Sequence, residues 1–235
     1  MKPYIVFDIE TAPYKLADLT QFLKKDVEFD EDACKREFST ARDDSPKGRE
    51  FLAKKRAAHE ADLINAKVEF AQRAALKPET GVVIAIGYEM TDGHIQTATG
   101  DEKDILSQFW AIYNEADAKG HKLVGWNNAD FDVPFLLRRS WKLGVFAPTT
   151  LFTNNRYLTS TFVDLMKVYT CGVYGERVSL NHAAKHLLGV GKDEQEVTGE
   201  SFHKYFYGTP EQRKLALEYL ERDIKLTAEI AAKIL

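Results

Sequence analysis

Five side chains in this sequence combine type and spacing in a way that invites chemistry: Asp8, Glu10, Asp132, Tyr219 and Asp223. Asp8 and Glu10 stand two apart in the apolar run Pro3-Tyr4-Ile5-Val6-Phe7-Asp8-Ile9-Glu10-Thr11, and side chains at i and i+2 of a strand share a face. Carboxylates that close repel unless something neutralises them. A divalent cation held through oxygen, a shared proton or a basic side chain would each serve, and only the cation calls for more acids elsewhere in the chain. Tyr219 and Asp223 stand four apart, so one helix face presents both, with Cβ atoms about 5–6 Å apart. The same face runs on through Ala216, Leu226 and Ile230. An acid on a core-facing stripe is costly unless it is paired or bound to metal; an ion pair with Arg222 or Lys225 at the rim of the stripe is the plainer alternative. Asp132 follows the polar turn Asn127-Asn128-Ala129-Asp130. An acid there ordinarily serves a helix start, but ligands in open α/β sheets also gather beyond the carboxyl ends of strands.

The elements that must position these groups are legible in outline. Ile5, Val6, Phe7 and Ile9 read as a strand buried on both faces. Residues 82–89 read as a second buried strand, and Asp92-Gly93 as a two-residue hairpin turn into an antiparallel partner at 94–99. A helix from about Asp101 to Ala118, with Ile105, Leu106, Phe109, Trp110, Ile112 and Tyr113 inward, leads to a strand at Lys122–Trp126. Reached through a helix, that strand is expected to lie parallel to the first. If the two are neighbours, Asp8, Glu10 and Asp132 meet at one sheet edge. Asp132 and Pro134 open the next helix, with Phe135, Leu136 and Leu137 inward. Phe162–Leu165 reads as a last short strand, and Ser179 caps a helix that stops at Gly189. Thr209-Pro210-Glu211-Gln212 combines a capping box with proline at the first helical position, opening a final helix to the C-terminus.

Residues 14–77 are dense in charge, with their only proline and glycine at Pro46 and Gly48, and predict a helical hairpin broken there. Phe51, Leu52, Ala58, Leu63, Ile64, Val68 and Phe70 give its second helix an incomplete apolar stripe. A solvated spacer and an arm that touches substrate through Lys54, Lys55, Arg56, Arg73 and Lys77 both fit. The Thr- and Asn-rich stretch 147–161 reads as a loop beside a cleft. With 235 residues, 44% hydrophobic, the whole chain 1–235 is expected to form a single domain with this insertion at about 14–77.

A net charge of -4 argues against coating nucleic acid by bulk electrostatics but leaves room for a local basic groove. Arg138, Arg139, Lys142, Arg156, Arg177 and Lys185 are its candidates, with Trp126 and Phe131 as stacking surfaces. Cys34 and Cys171 fall in no metal or redox spacing and fit a reducing compartment. No run reaches membrane-span length and no signal pattern precedes the first strand, so a soluble cytoplasmic protein without a membrane partner is expected. His182 and His186 are four apart, but no Glu accompanies them as in a zinc peptidase helix.

FDIET at 7–11, Asn127 followed after three residues by Phe131-Asp132, and Tyr219 followed after three by Asp223 resemble, in order, the three exonuclease motifs of the DEDD superfamily. The tyrosine resembles the DEDDy branch, which includes the proofreading domains of B-family DNA polymerases. Phe162–Leu165 and Ser179-Leu180-Asn181 through Gly189 are similar to connecting elements of that group, and the likeness covers most of the chain outside 14–77. The resemblance implies an α/β, ribonuclease H-like fold: a mixed five-stranded sheet flanked by helices, with a helical insertion after the first strand. It also implies two divalent cations, Mg²⁺ or Mn²⁺, and hydrolysis of phosphodiester bonds from the 3′ end of single-stranded DNA. By the family pattern Asp8 would bridge both ions, Glu10 and Asp223 would complete one, and Asp132 would support the other through water. Tyr219 would orient the attacking water with Glu10, and Thr11, Asn127 and Phe131 would contact substrate. A separate polymerase or repair factor is the further partner implied. A 3′–5′ exoribonuclease is an alternative, because these motifs do not separate the sugars. A catalytically silent nucleic-acid-binding module is another, against which stands the retention of repelling carboxylates where phosphates approach.

Overall fold

The computed structural model describes residues 3–15, 28–37, 45–148, 161–190 and 196–235. Arg156 and most of the Thr- and Asn-rich stretch lie outside the described residues. Five strands, β1 (Tyr4–Pro13), β2 (Gly81–Glu89), β3 (Ile95–Thr99), β4 (Lys122–Gly125) and β5 (Phe162–Asp164), form one sheet in the order β3-β2-β1-β4-β5. The first strand in sequence is thus central in space. β4 lies parallel to β1, with Tyr4 opposite Lys122 and Val6 opposite Val124, and β5 lies parallel to β4. β2 and β3 pair antiparallel. Their hairpin is one residue longer than the Asp92-Gly93 signal predicts: Met90 N donates to His94 O at 2.9 Å and Gly93 N to Met90 O at 2.8 Å, which leaves Thr91, Asp92 and Gly93 as the loop. Gly93 closes it at φ 86°, a left-handed conformation that suits a three-residue hairpin ending in a bulge.

Helices cover both faces of the sheet. Ile5, Phe7 and Ile9 of β1 pack with α3 (Glu102–Ala118) and α4 (Asp132–Leu143), where the Phe7 ring lies 5.2 Å from Phe109 and 6.1 Å from Phe162. Tyr4 and Val6 pack on the other face with residues of α5 (Leu165–Tyr169), α6 (Leu180–Leu188), α7 (Phe202–Phe206) and α8 (Pro210–Ile234). Each large apolar side chain buried this way is worth about 1.5–3 kcal/mol. Two layers of such contacts hold β1 rigid up to the point where its acids begin.

Caps and close approaches fix the helices. Asp101 Oδ1 accepts from Lys103 N at the start of α3, and Thr209 and Gln212 form the reciprocal capping box that opens α8. Gly87 lets α8 lie against β2: a Cβ there would come within 2.9 Å of Ile224 Cγ1 and 3.0 Å of Leu220 Cγ. Arg139 locks α4 to α3, its Nε donating to Glu102 Oε1 at 2.8 Å and its Nη2 to Glu102 Oε2 at 2.6 Å. The same guanidinium reaches Pro78 O, and Glu102 Oε1 also accepts from Val83 N. Arg139 is therefore a buried brace and no part of a basic groove, because it is 2% exposed and its planar fork is matched to the Glu102 carboxylate.

The chain divides into two compact units, Met1–Ala12 with Lys77–Leu235, and Pro13–Leu76. The second unit is the helical insertion after the first strand, with α1 (Glu31–Glu37) and α2 (Pro46–Ala74). Ser45 caps α2, its Oγ accepting from Gly48 N at 3.0 Å. The two helices meet where Arg56 Nη2 pairs with Glu31 Oε2 at 2.7 Å and Phe29 packs on His59 at 5.6 Å. The apolar stripe of α2 stays largely wet, with Ile64 62% and Val68 51% exposed. No described helix is long and apolar enough to cross a membrane.

Candidate active site

Alternation along β1 puts Asp8 and Glu10 on the Tyr4 and Val6 face, the one that packs with α8. On α8, Tyr219 and Asp223 are both buried. The Tyr219 phenol hydrogen-bonds the Asp223 carboxylate, and its pKa is driven far above the ordinary 10.0 by burial, then by the charges of Asp223, Glu10 and Asp8. Those four groups therefore share one electrostatic neighbourhood. Lys225, one of the rim bases that could have paired with Asp223, pairs with Glu221 at 2.6 Å.

Asp132 joins them from the other direction. β1 and β4 stay in register only as far as Val6 and Val124, so the Ile9 N–H lies past the last paired strand residue. The Asp132 carboxylate takes its place, Oδ1 accepting from Ile9 N at 3.2 Å. Burial raises the Asp132 pKa well above 3.8, the charge of Asp8 raises it further, and the Ile9 N–H works against both. Asp132 and Asp8 therefore lie close enough for their charges to repel.

The residues expected to contact substrate surround this edge. Thr11 is buried and Phe131 half-buried, the latter's ring 5.7 Å from Phe135. Asn127 adopts φ 59°, a left-handed conformation unusual outside glycine, and its buried Oδ1 has no hydrogen-bond partner among the described residues. Gly125 makes this turn possible, since a Cβ there would meet Asn128 Cβ and Phe7 O, each at 3.0 Å. Trp126 donates from Nε1 to Val178 O at 2.9 Å and borders a cavity of about 270 Å³ lined also by Asn127, Met166, Arg177, Val178 and Ser179. Arg138 instead pairs with Glu79, and His186 engages the Tyr169 hydroxyl through Nδ1.

The sequence model of the RNase H superfamily matches residues 74–235. The chain belongs to the RNase H superfamily. Among solved structures, a family B DNA polymerase from the hyperthermophilic archaeon Pyrobaculum calidifontis is similar at 20% identity, with a TM-score of 0.56. That likeness is one of fold; it covers 70% of this chain and 23% of the polymerase. No curated protein matches the sequence. The superfamily match contains Asp132, Tyr219 and Asp223, while Asp8 and Glu10 precede it on the strand that the fold places at the sheet centre. Membership supports a nuclease-type function.

For an RNase H superfamily protein the donor set is all carboxylate, which suits hard cations such as Mg²⁺ or Mn²⁺. Among the described residues no three His, Cys, Asp or Glu side chains close on a single point tightly enough to enclose an ion. A partly hydrated Mg²⁺, which takes one or two carboxylates and completes its shell with water and phosphate, fits such an open set.

Two features of the site escaped the sequence. Asp164, at the end of β5, is buried; its Oδ1 accepts from Asn127 N at 3.0 Å and its Oδ2 from Ala129 N at 3.2 Å. The rule that singles out Asp132, an acid beyond a strand's carboxyl end, applies equally here and would have found it. The turn of Thr198 to Ser201 lies beside the Tyr219 hydroxyl, where a Cβ on Gly199 would stand 3.6 Å from Oη. No periodic pattern marks that turn.

Proposed function

We propose that the protein is a divalent-metal-dependent 3′–5′ exonuclease of the DEDDy type that trims single-stranded DNA. The observation that carries this reading is the environment of Tyr219, a phenol kept protonated by burial and by Asp223, Glu10 and Asp8 around it. A nuclease that uses a tyrosine to orient water needs a neutral hydroxyl with one proton to give and lone pairs to accept.

Asp8, Glu10, Asp132 and Asp223 would hold the cations by one or two carboxylates each, with water and substrate phosphate completing each shell; bound Mg²⁺ or Mn²⁺ would supply Lewis acidity and neutralise phosphate charge. The chain's own groups do the positioning. Glu10 and the Tyr219 hydroxyl orient the attacking water by hydrogen bonds. Ile9 N–H holds Asp132 at the strand edge, and Asn127, Thr11 and Phe131 contact the terminal nucleotide. The cavity beside Trp126 takes a base of the strand, with Arg177 at its rim for a phosphate. A separate polymerase or repair factor is the partner class this activity calls for.

The test is the full-length protein with Mn²⁺ and a 5′-labelled oligonucleotide with a free 3′ end. Stepwise shortening that disappears in Asp8→Ala supports the reading, and trimming that survives the substitution contradicts the site. Matched DNA and RNA strands in the same assay decide the sugar.

A further inference from the structure

We infer that Asp164 is a positioning residue, whose carboxylate latches the Asn127–Ala129 turn to the end of β5 and so sets where Asn127 and Asp132 stand. The inference rests on the exonuclease reading of this sheet edge. Asp164 Oδ1 accepts from Asn127 N at 3.0 Å and from Met166 N at 3.0 Å, while Oδ2 accepts from Ala129 N at 3.2 Å. Asn128 adds a parallel clip, its Nδ2 donating to Val163 O at 3.2 Å.

The latched turn runs without slack into α4. Phe131 N donates to Asn127 O at 3.1 Å and Val133 N to Asn128 O at 2.9 Å. Asp132 sits between those two donors, and its own Oδ1 takes Ile9 N at 3.2 Å. A shift of the turn is therefore passed on to Asp132, and to Asn127, which holds a left-handed φ of 59° only while its surroundings over-determine it.

A helix cap alone does not account for this arrangement. Asp164 does cap α5, accepting from Met166 N and Lys167 N, and a cap needs only one acceptor oxygen. The bonds to Asn127 and Ala129 come from a different segment of chain, and they use both oxygens. An ionised carboxylate offers acceptors on both sides, whereas an amide presents a donor on one of them. Asn and Ser cap helices about as well as Asp, so substitution by either separates the two roles.

The test measures kcat and KM for 3′ trimming, together with Tm, for the full-length wild type, Asp164→Asn and Asp164→Ser. With kcat referred to folded protein, both variants are expected to lose about 10- to 100-fold, as partners that orient functional ligands typically do when replaced, while KM moves by no more than about threefold. Unchanged kcat in either variant reduces Asp164 to a cap and overturns the inference. Failure of both variants to fold overturns it too, by making the carboxylate a determinant of the fold. A wild type that trims beside a variant that trims equally well refutes this inference alone. A wild type that never trims removes the exonuclease reading and this inference with it.

Discussion

The carboxylate of Asp132 accepts a hydrogen bond from the backbone N–H of Ile9 at 3.2 Å, and Ile9 is the residue between Asp8 and Glu10. One contact thus ties an acid at the start of a helix to the strand that carries two others. It also brings negative charges together in a buried place, which is a standing cost in the absence of cations.

That cost has a sign in stability. Burial and the charge of Asp8 raise the Asp132 pKa above 3.8, so the folded state binds this proton more tightly than the unfolded chain. The group's stabilising share is then fully present below the unfolded value and lost as pH rises through the folded one. Melting of the metal-free protein as a function of pH should show this loss in the wild type and not in Asp132→Asn. At pH 7 the variant is expected to melt higher, by roughly 2–4 °C for each kcal/mol of relieved cost, while trimming is lost. A variant that melts lower than wild type at neutral pH would refute the account of Asp132.

Tyr219→Phe removes the hydroxyl and keeps the ring that packs 6.2 Å from Phe202. Its Tm should stay near wild type, and kcat should fall on the order of 10²-fold, a usual share for a positioned proton donor or acceptor. Burial, then the charges of Asp223, Glu10 and Asp8, raise the phenol pKa far above 10.0 in the metal-free protein. An ultraviolet difference titration of wild type against Tyr219→Phe without metal should therefore show no phenolate from Tyr219 below about pH 10.

Gly87→Val tests how α8 is seated. A Cβ at Gly87 would already meet Ile224 Cγ1 at 2.9 Å, and overpacking of this kind costs about 1–3 kcal/mol. Thermal melting should fall, and trimming should fall more than folding does, because α8 carries Tyr219 and Asp223. A variant with full activity per folded molecule would show that the helix can move without disturbing the site.

Arg177→Ala tests the path of the strand. Arg177 lines the cavity beside Trp126 and Asn127, and no described salt bridge involves it. Loss of a contact made equally in ground and transition states raises KM with kcat unchanged. A fall of several-fold in kcat/KM carried by KM is expected, steeper at low salt, and an unchanged KM would remove the cavity from the substrate path.

How much of this was legible beforehand follows the range of the interactions concerned. The apolar run of Ile5, Val6, Phe7 and Ile9, the capping box at Thr209 and the helix between β3 and β4 are local signals, and they suffice for the order of elements; the meeting of Asp8, Glu10 and Asp132 hung on β1 and β4 being neighbours, which the parallel pairing supplies. Arg139 was not legible. Its charge suggested a basic groove, and its true partner, Glu102, stands 37 residues away at the start of another helix. The latch at Asp164 was hidden for a related reason, because its partners are backbone N–H groups that a sequence does not display. The three-residue hairpin loop depended on where the ladder closes, a register set by both strands together. In α2 the incomplete apolar stripe among charges pointed to a largely wet helix, and Ile64 and Val68 do stay largely exposed.

The most direct measurement follows the 3′ end itself. Wild-type protein with Mn²⁺ should shorten a 5′-labelled single-stranded DNA one nucleotide at a time, and Asp223→Asn, which keeps the shape of the side chain on α8 but not its charge, should leave the strand intact. Full-length substrate after incubation with the wild type, or an undiminished ladder from Asp223→Asn, would contradict the claim that these acids form a 3′-end hydrolytic site.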